Sequence, residues 1–287
     1  MKFSCDKGFK DILQKMRRLA TASNTLLPKI RIQYVSDLHL EWNRVAPENL
    51  VKPVTPYLAL AGDIAPPTHP SLRPFLAFAS AAFERVFYVP GNHEYDGFSK
   101  KGDCDAALAA ACAEFPNVSL LNRSVFRFPD KNVAVVGAPL WSPAFTFMGR
   151  RDLTAEIHVA SAEDRAFFAA QIRHFVTRGT QIVALSHFMP SESLVLEKYA
   201  KYPNKHRFYH PCDDMIRAPV RAWIYGHSHS AARHFINRVG CVINPYGHPR
   251  EQRTANGYCD RIFVEFPLQT HAEEDAPPPR PYNIFRI

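Results

Sequence analysis

Cysteine is sparse and unpatterned in this chain. Six stand in 287 residues, at positions 5, 104, 112, 212, 241 and 259, and no two have C-x-x-C spacing. That argues against a disulfide framework and a structural zinc site, and it fits a reducing compartment. Long hydrophobic runs are missing too. No stretch approaches the ~18 apolar residues of a membrane span, and no signal-peptide core lies near the start. The expectation is a soluble, cytoplasmic protein with no membrane span. Net positive charge on the main body is small as well. The net charge is +8, but residues 1–31 hold eight Lys/Arg against two Asp, so +6 of it sits there. A nucleic-acid binder spreads basic charge over a folded face, so nucleic acid is not the expected partner.

What is present falls into three parts. Residues 1–29 form a basic extension in which Phe9, Ile12, Leu13, Met16 and Leu19 recur at helical spacing. Arg17-Arg18 ahead of Ala20–Ser23 leaves organelle targeting open, although Asp6 and Asp11 count against it. Residues 30–268 form the globular domain. Residues 269–287 form a tail in which Ala276–Pro281 reads as extended, proline-rich chain, expected to strap the surface.

Within the domain, β-branched and aromatic runs predict strands over 31–36, 57–61, 85–89, 181–185, 222–225, 241–243 and 261–266. Short strands over 118–121, 124–128 and 132–136 suggest an antiparallel group. Helices are predicted over 70–83, 103–115 and 161–176. Strands separated by helices in both halves point to sheets covered by helices.

Five short motifs follow predicted strands. They are Asp37-Leu38-His39, Gly62-Asp63, Gly91-Asn92-His93-Glu94, Ser186-His187 and Gly226-His227-Ser228-His229. Ligands in α/β sheets collect at strand C-termini. Asp37 and His39 are two apart and in extended chain project to one side. Asp63 has two oxygens and can bridge two ions. Asn92 offers a neutral amide oxygen, and imidazoles suit Zn, Fe or Mn. Together these groups suffice for two adjacent divalent metal ions, an arrangement suited to attack on phosphorus. His93 is free to face a substrate instead. Glu94 reads either as a support for a neighbouring ring or backbone or as a surface carboxylate. His69, His158, His174, His206, His210, His234, His248 and His271 lack ligand spacing and read as surface or core residues. The loop holding Trp141–Phe145 and Arg150-Arg151 either lines the substrate cleft or packs and solvates.

The set resembles the calcineurin-like metallophosphoesterase family, whose pattern is D-x-H, GD, GNH-E/D, H and GH-x-H. Gln33–Glu41, Gly137–Trp141 and Asn244–Gly247 resemble a bacterial-type branch, except that Phe188 replaces a histidine often found after the lone one. The resemblance covers roughly 30–266 and implies an α/β fold: a four-layer α/β/β/α sandwich of two mixed sheets flanked by helices. It implies that Asp37, His39 and His229 hold one metal, that Asn92, His187 and His227 hold the other, and that Asp63 bridges them. It also implies that His93 faces the scissile phosphate. The implied function is a binuclear-metal-dependent hydrolase of small phosphomonoesters or phosphodiesters, with a metal-bridging hydroxide as nucleophile. A catalytically silent binding member of the fold, or a nuclease, is the alternative.

Overall fold

The computed structural model describes residues 28–251, 256–268 and 285–286. The readings of the extension up to residue 27, of most of the tail and of His271 lie outside these residues. Twelve strands are described: β1 (Lys29–Val35), β2 (Tyr57–Ala61), β3 (Arg85–Val89), β4 (Val118–Leu120), β5 (Ser124–Arg127), β6 (Val133–Gly137), β7 (Gln181–Leu185), β8 (Val220–Tyr225), β9 (Ala232–Ile236), β10 (Val239–Ile243), β11 (Phe263–Pro267) and β12 (Phe285–Arg286). The longer helices are α1 (Leu72–Ala82), α2 (Lys101–Ala113) and α3 (Arg151–Val176).

The strands form two six-stranded sheets, ordered β12-β11-β1-β2-β3-β4 and β5-β6-β7-β8-β10-β9. Both are mixed. In the first, β1 to β4 run parallel and β11 antiparallel to β1. In the second, β6, β7, β8 and β10 are parallel, and β5 and β9 are antiparallel edges.

Strand periodicity builds the layers. On β2, Tyr57, Ala59 and Ala61 face the second sheet, whereas Leu58 and Leu60 meet Phe75 and Leu76 of α1 and Leu108 of α2. On β8, Ala222 and Ile224 join the core between the sheets, and Trp223 and Tyr225 pack with Phe168, Ile172 and Phe175 of α3. Each central strand is thus buried on both faces, as its continuous apolar run requires. Helix, sheet, sheet and helix give the expected four-layer sandwich.

Three local expectations need correction. β4 is not part of an antiparallel group; it pairs parallel with β3, and only β5–β6 is antiparallel. The chain changes sheets between β4 and β5, where Arg123 takes a left-handed φ of 53°. The edge strand β9 was missed because its residues are mostly exposed and lack an apolar run. Helix α3 begins at Arg151, nearly three turns before the predicted start at residue 161. In its first half Leu153, Ile157 and Ala160 are the buried apolar residues, a sparse stripe.

Candidate metal centre

Five parallel strands, β1 to β3 and β7 to β8, end at one edge of the sandwich, and each motif begins there. Asp37 N–H donates to Gly62 O at 2.9 Å and His39 N–H to Asp63 O at 3.0 Å, locking the first two motifs together. His227 N–H donates to Asp37 Oδ1 at 3.0 Å, which ties the two sheets. Asp37 and His39 are not extended: their φ values are 52° and 45°, and Asp63, His227 and His229 have 54°, 76° and 49°. Left-handed backbone at these non-glycine residues costs about 1–3 kcal/mol each. Gly226 is required by close approach, because a Cβ there would lie 2.5 Å from Ala61 O and 3.0 Å from His187 Nδ1.

The seven ligand candidates converge in two groups. Ligand atoms of Asp37, His39, Asp63 and His229 lie within 4.8 Å of one another, and so do those of Asp63, His187 and His227. Asp63 belongs to both: its Oδ2 is 3.4 Å from His187 Nε2 and 3.9 Å from His39 Nε2. Asn92 Oδ1 is 3.1 Å from His187 Nε2, bringing the amide oxygen into the second group.

The donor chemistry suits cations. His39 Nδ1 lies 3.0 Å from Glu41 Oε1 and His229 Nδ1 lies 2.9 Å from Glu251 Oε2. His187 Nδ1 lies 2.9 Å from the carbonyl of Ala61. Each acceptor claims a ring N–H, so each ring presents Nε2 to the cluster. The presented atoms then face one another: His39 Nε2 and His229 Nε2 are 3.1 Å apart, and His187 Nε2 is 3.2 Å from His227 Nδ1. Lone pairs and carboxylate oxygens crowd here with too few protons between them, which is the donor set a pair of divalent ions needs.

Protonation follows the same field. Burial pushes His39 far below its ordinary pKa, and burial together with His187 does so for His227. Burial opposes charge on His229, but Asp37 and Glu251 raise it to about 9. His93 also reaches about 9, since Asp63 and Asp96 outweigh its burial. Burial would lift Asp37, yet His229 and its neighbouring imidazoles hold it well below the carboxylate range.

His93 sits on the 3-10 turn His93–Tyr95, its backbone N–H on Asp63 Oδ1 at 2.8 Å and its Nδ1 2.7 Å from Asp96 Oδ2. It lines a cleft of about 250 Å³ with Asp63, Asn92, His227, His229 and His248. Glu94 is fully buried and accepts the N–H groups of Asp63, Ile64 and Gly91 and the hydroxyl of Tyr88. It pins the two loops that carry Asp63 and Asn92; the surface alternative is set aside. Phe188 packs its ring 4.4 Å from that of His227 and supplies an apolar backing.

Sequence reasoning missed three groups. His248, taken as a surface or core residue, stacks 4.5 Å from His39 and lines the cleft. Glu41 and Glu251 meet the Nδ1 atoms of His39 and His229. Glu41 stood in the quoted Gln33–Glu41 stretch, two residues past His39, and that proximity was the available signal. Glu251 is 22 residues from His229 and had none.

The family description "Calcineurin-like phosphoesterase" matches residues 30–231. The chain belongs to this family. Among relatives, it is 26% identical over 281 residues to an uncharacterised protein, L509, of Acanthamoeba polyphaga mimivirus, covering 82% of this chain and 98% of that one. Its fold is similar to that of a phosphopantetheinyl hydrolase from Mycobacterium tuberculosis, with TM-score 0.57, 20% identity, and coverage of 79% of this chain and 92% of that one. It is also similar to a dimetal phosphatase from Danio rerio, with TM-score 0.52, 12% identity, and coverage of 83% and 92%. At such identities these structures speak for the calcineurin-like fold alone. No helix among the described residues is long and apolar enough to cross a membrane.

Proposed function

We propose that this calcineurin-like phosphoesterase hydrolyses small phosphomonoesters or phosphodiesters at a binuclear centre. Asp37, His39 and His229 would hold one ion and Asn92, His187 and His227 the other, with Asp63 between them. The observation that carries this reading is the sharing of Asp63 by two groups of converging acceptors. Bound divalent ions such as Mn, Fe or Zn would supply an acidified water and positive charge against the phosphate oxygens.

The chain's own residues do the rest. Glu41, Glu251 and Ala61 O fix the ligand rings, and Glu94 fixes the loops. His93 gives its Nδ1–H to Asp96 and keeps Nε2 for the cleft. With its pKa at about 9 it carries a proton at neutral pH. It can therefore hydrogen-bond a phosphate oxygen or protonate the leaving oxygen, a contribution of roughly 10²–10⁴ in rate.

Elemental analysis after loading with Mn, Fe or Zn, followed by assays on 4-nitrophenyl phosphate and bis(4-nitrophenyl) phosphate, tests the reading. Two ions per chain and turnover are expected. Asp63→Ala loses metal; His93→Ala keeps it and loses about 100-fold or more in kcat. A wild-type protein that takes up two ions and cleaves neither ester, nor any natural phosphoester in a screen, is a binding member of the fold and the proposal fails.

A further inference from the structure

His93 is the proposed catalytic ring, and it stands on a single 3-10 turn with part of its side chain exposed. Such a turn does not hold a side chain still by itself. Edge contacts with His39 and Trp42, at centroid distances of 4.9 and 5.0 Å, restrict the ring without choosing which nitrogen faces the cleft. That choice belongs to Asp96, whose Oδ2 lies 2.7 Å from Nδ1. Asp96 is itself 39% exposed, on the loop leaving the turn. A carboxylate there rotates freely unless something holds its second oxygen.

Arg150 holds it. Nη2 donates to Asp96 Oδ1 at 3.2 Å, and Nη1 donates to Tyr95 O at 2.8 Å and Phe98 O at 3.3 Å. The guanidinium lies over the Phe147 ring at 4.3 Å. Its backbone caps the start of α3, the 26-residue helix. One planar fork thus binds the carboxylate and two carbonyls of the loop that follows His93, from a base 54 residues away. A lysine, with a single point of charge, does not reproduce this geometry. Neither Asp96 nor Arg150 lines the cleft.

We infer that Arg150, acting through Asp96, is a positioning residue that sets the ring orientation of His93 and which of its nitrogens meets the carboxylate. This rests on the phosphoesterase reading for its kinetic consequence, though its structural part is independent of turnover. A reacting group displaced by about 1 Å loses on the order of 100-fold in rate.

The test uses the full chain loaded with zinc. Arg150→Ala and Asp96→Ala each lower kcat on 4-nitrophenyl phosphate by about 10- to 100-fold, with KM and zinc content unchanged. In a His93→Ala background, adding Arg150→Ala costs nothing further, because the group it positions is gone. Long-range ¹H–¹⁵N NMR recorded well above pH 9, where the ring is neutral, shows His93 protonated on Nδ1 in the parent and a mixture of tautomers in both variants. Asp96→Ala, on a half-exposed loop, carries the test should Arg150→Ala not fold. A further kcat loss in the His93→Ala background, or an unchanged tautomer in the variants, overturns the inference. If the parent hydrolyses no ester at all, the phosphoesterase reading fails, and the NMR result still decides the positioning of His93.

Discussion

The side chains at this centre are held by neighbours that leave them one chemical option. With Nδ1 of His39 and His229 directed at Glu41 and Glu251, their Nε2 atoms meet at 3.1 Å, a spacing that accommodates one proton or a shared cation. His229, raised to about 9, carries that proton in the metal-free protein at neutral pH. Ligation must remove it, so metal uptake releases a proton and apparent affinity rises with pH up to about 9. Between pH 6.5 and 8.5 the linkage of one proton strengthens binding about tenfold per pH unit. Metal titrations in buffers of different ionisation enthalpy measure both effects, and an affinity that falls with rising pH contradicts the assignment. Gly226 offers a second check. A Cβ 2.5 Å from Ala61 O displaces the carbonyl that orients His187. Gly226→Ala is expected to lose first the ion proposed at His187, read as a metal content near one per chain.

At the scale of elements, parallel strands do the placing. β1, β2, β3, β7 and β8 deliver their C-termini to one edge, so five motifs far apart in sequence become neighbours. This much was legible, because each motif follows an apolar strand and strand ends are where α/β proteins put ligands. Alternation in extended chain does not account for Asp37 and His39, since both residues are left-handed. The β7–β8 connection adds what no motif revealed. It carries Tyr199 and Phe208, stacked with centroids 5.4 Å apart, to the cleft wall, with Phe208 5.4 Å from His227. Their chemistry is ordinary aromatic packing, so nothing in the sequence set them apart. Phe208→Ala is expected to raise KM for aryl phosphates several-fold, in keeping with the roughly 0.5–1.5 kcal/mol of an aromatic pair, while kcat moves less. A kcat loss with KM unchanged would assign Phe208 to the support of His227 instead.

At the scale of the molecule, the centre joins the two sheets. Asp37, His39, Asp63 and Asn92 come from the first, and His187, His227 and His229 from the second. Ions bound between them favour the folded chain by mass action, about 2.7 kcal/mol at a free concentration 100 times Kd. For a domain of this size that corresponds to a rise in Tm of roughly 5–10 °C. Thermal melts with and without Mn or Zn read it directly, and Asp63→Ala abolishes the shift.

The sequence by itself determined sheets covered by helices, the strand ends and the chemistry of the candidate groups, because apolar periodicity and residue chemistry are local properties; the four-layer arrangement came only as what the family resemblance implies. Only the tertiary structure decided which carboxylate orients which ring, that Glu94 pins two loops, that His248 enters the cleft and that Arg150 reaches Asp96. Those pairings are made by packing between segments tens of residues apart, and linear spacing carries no record of such encounters.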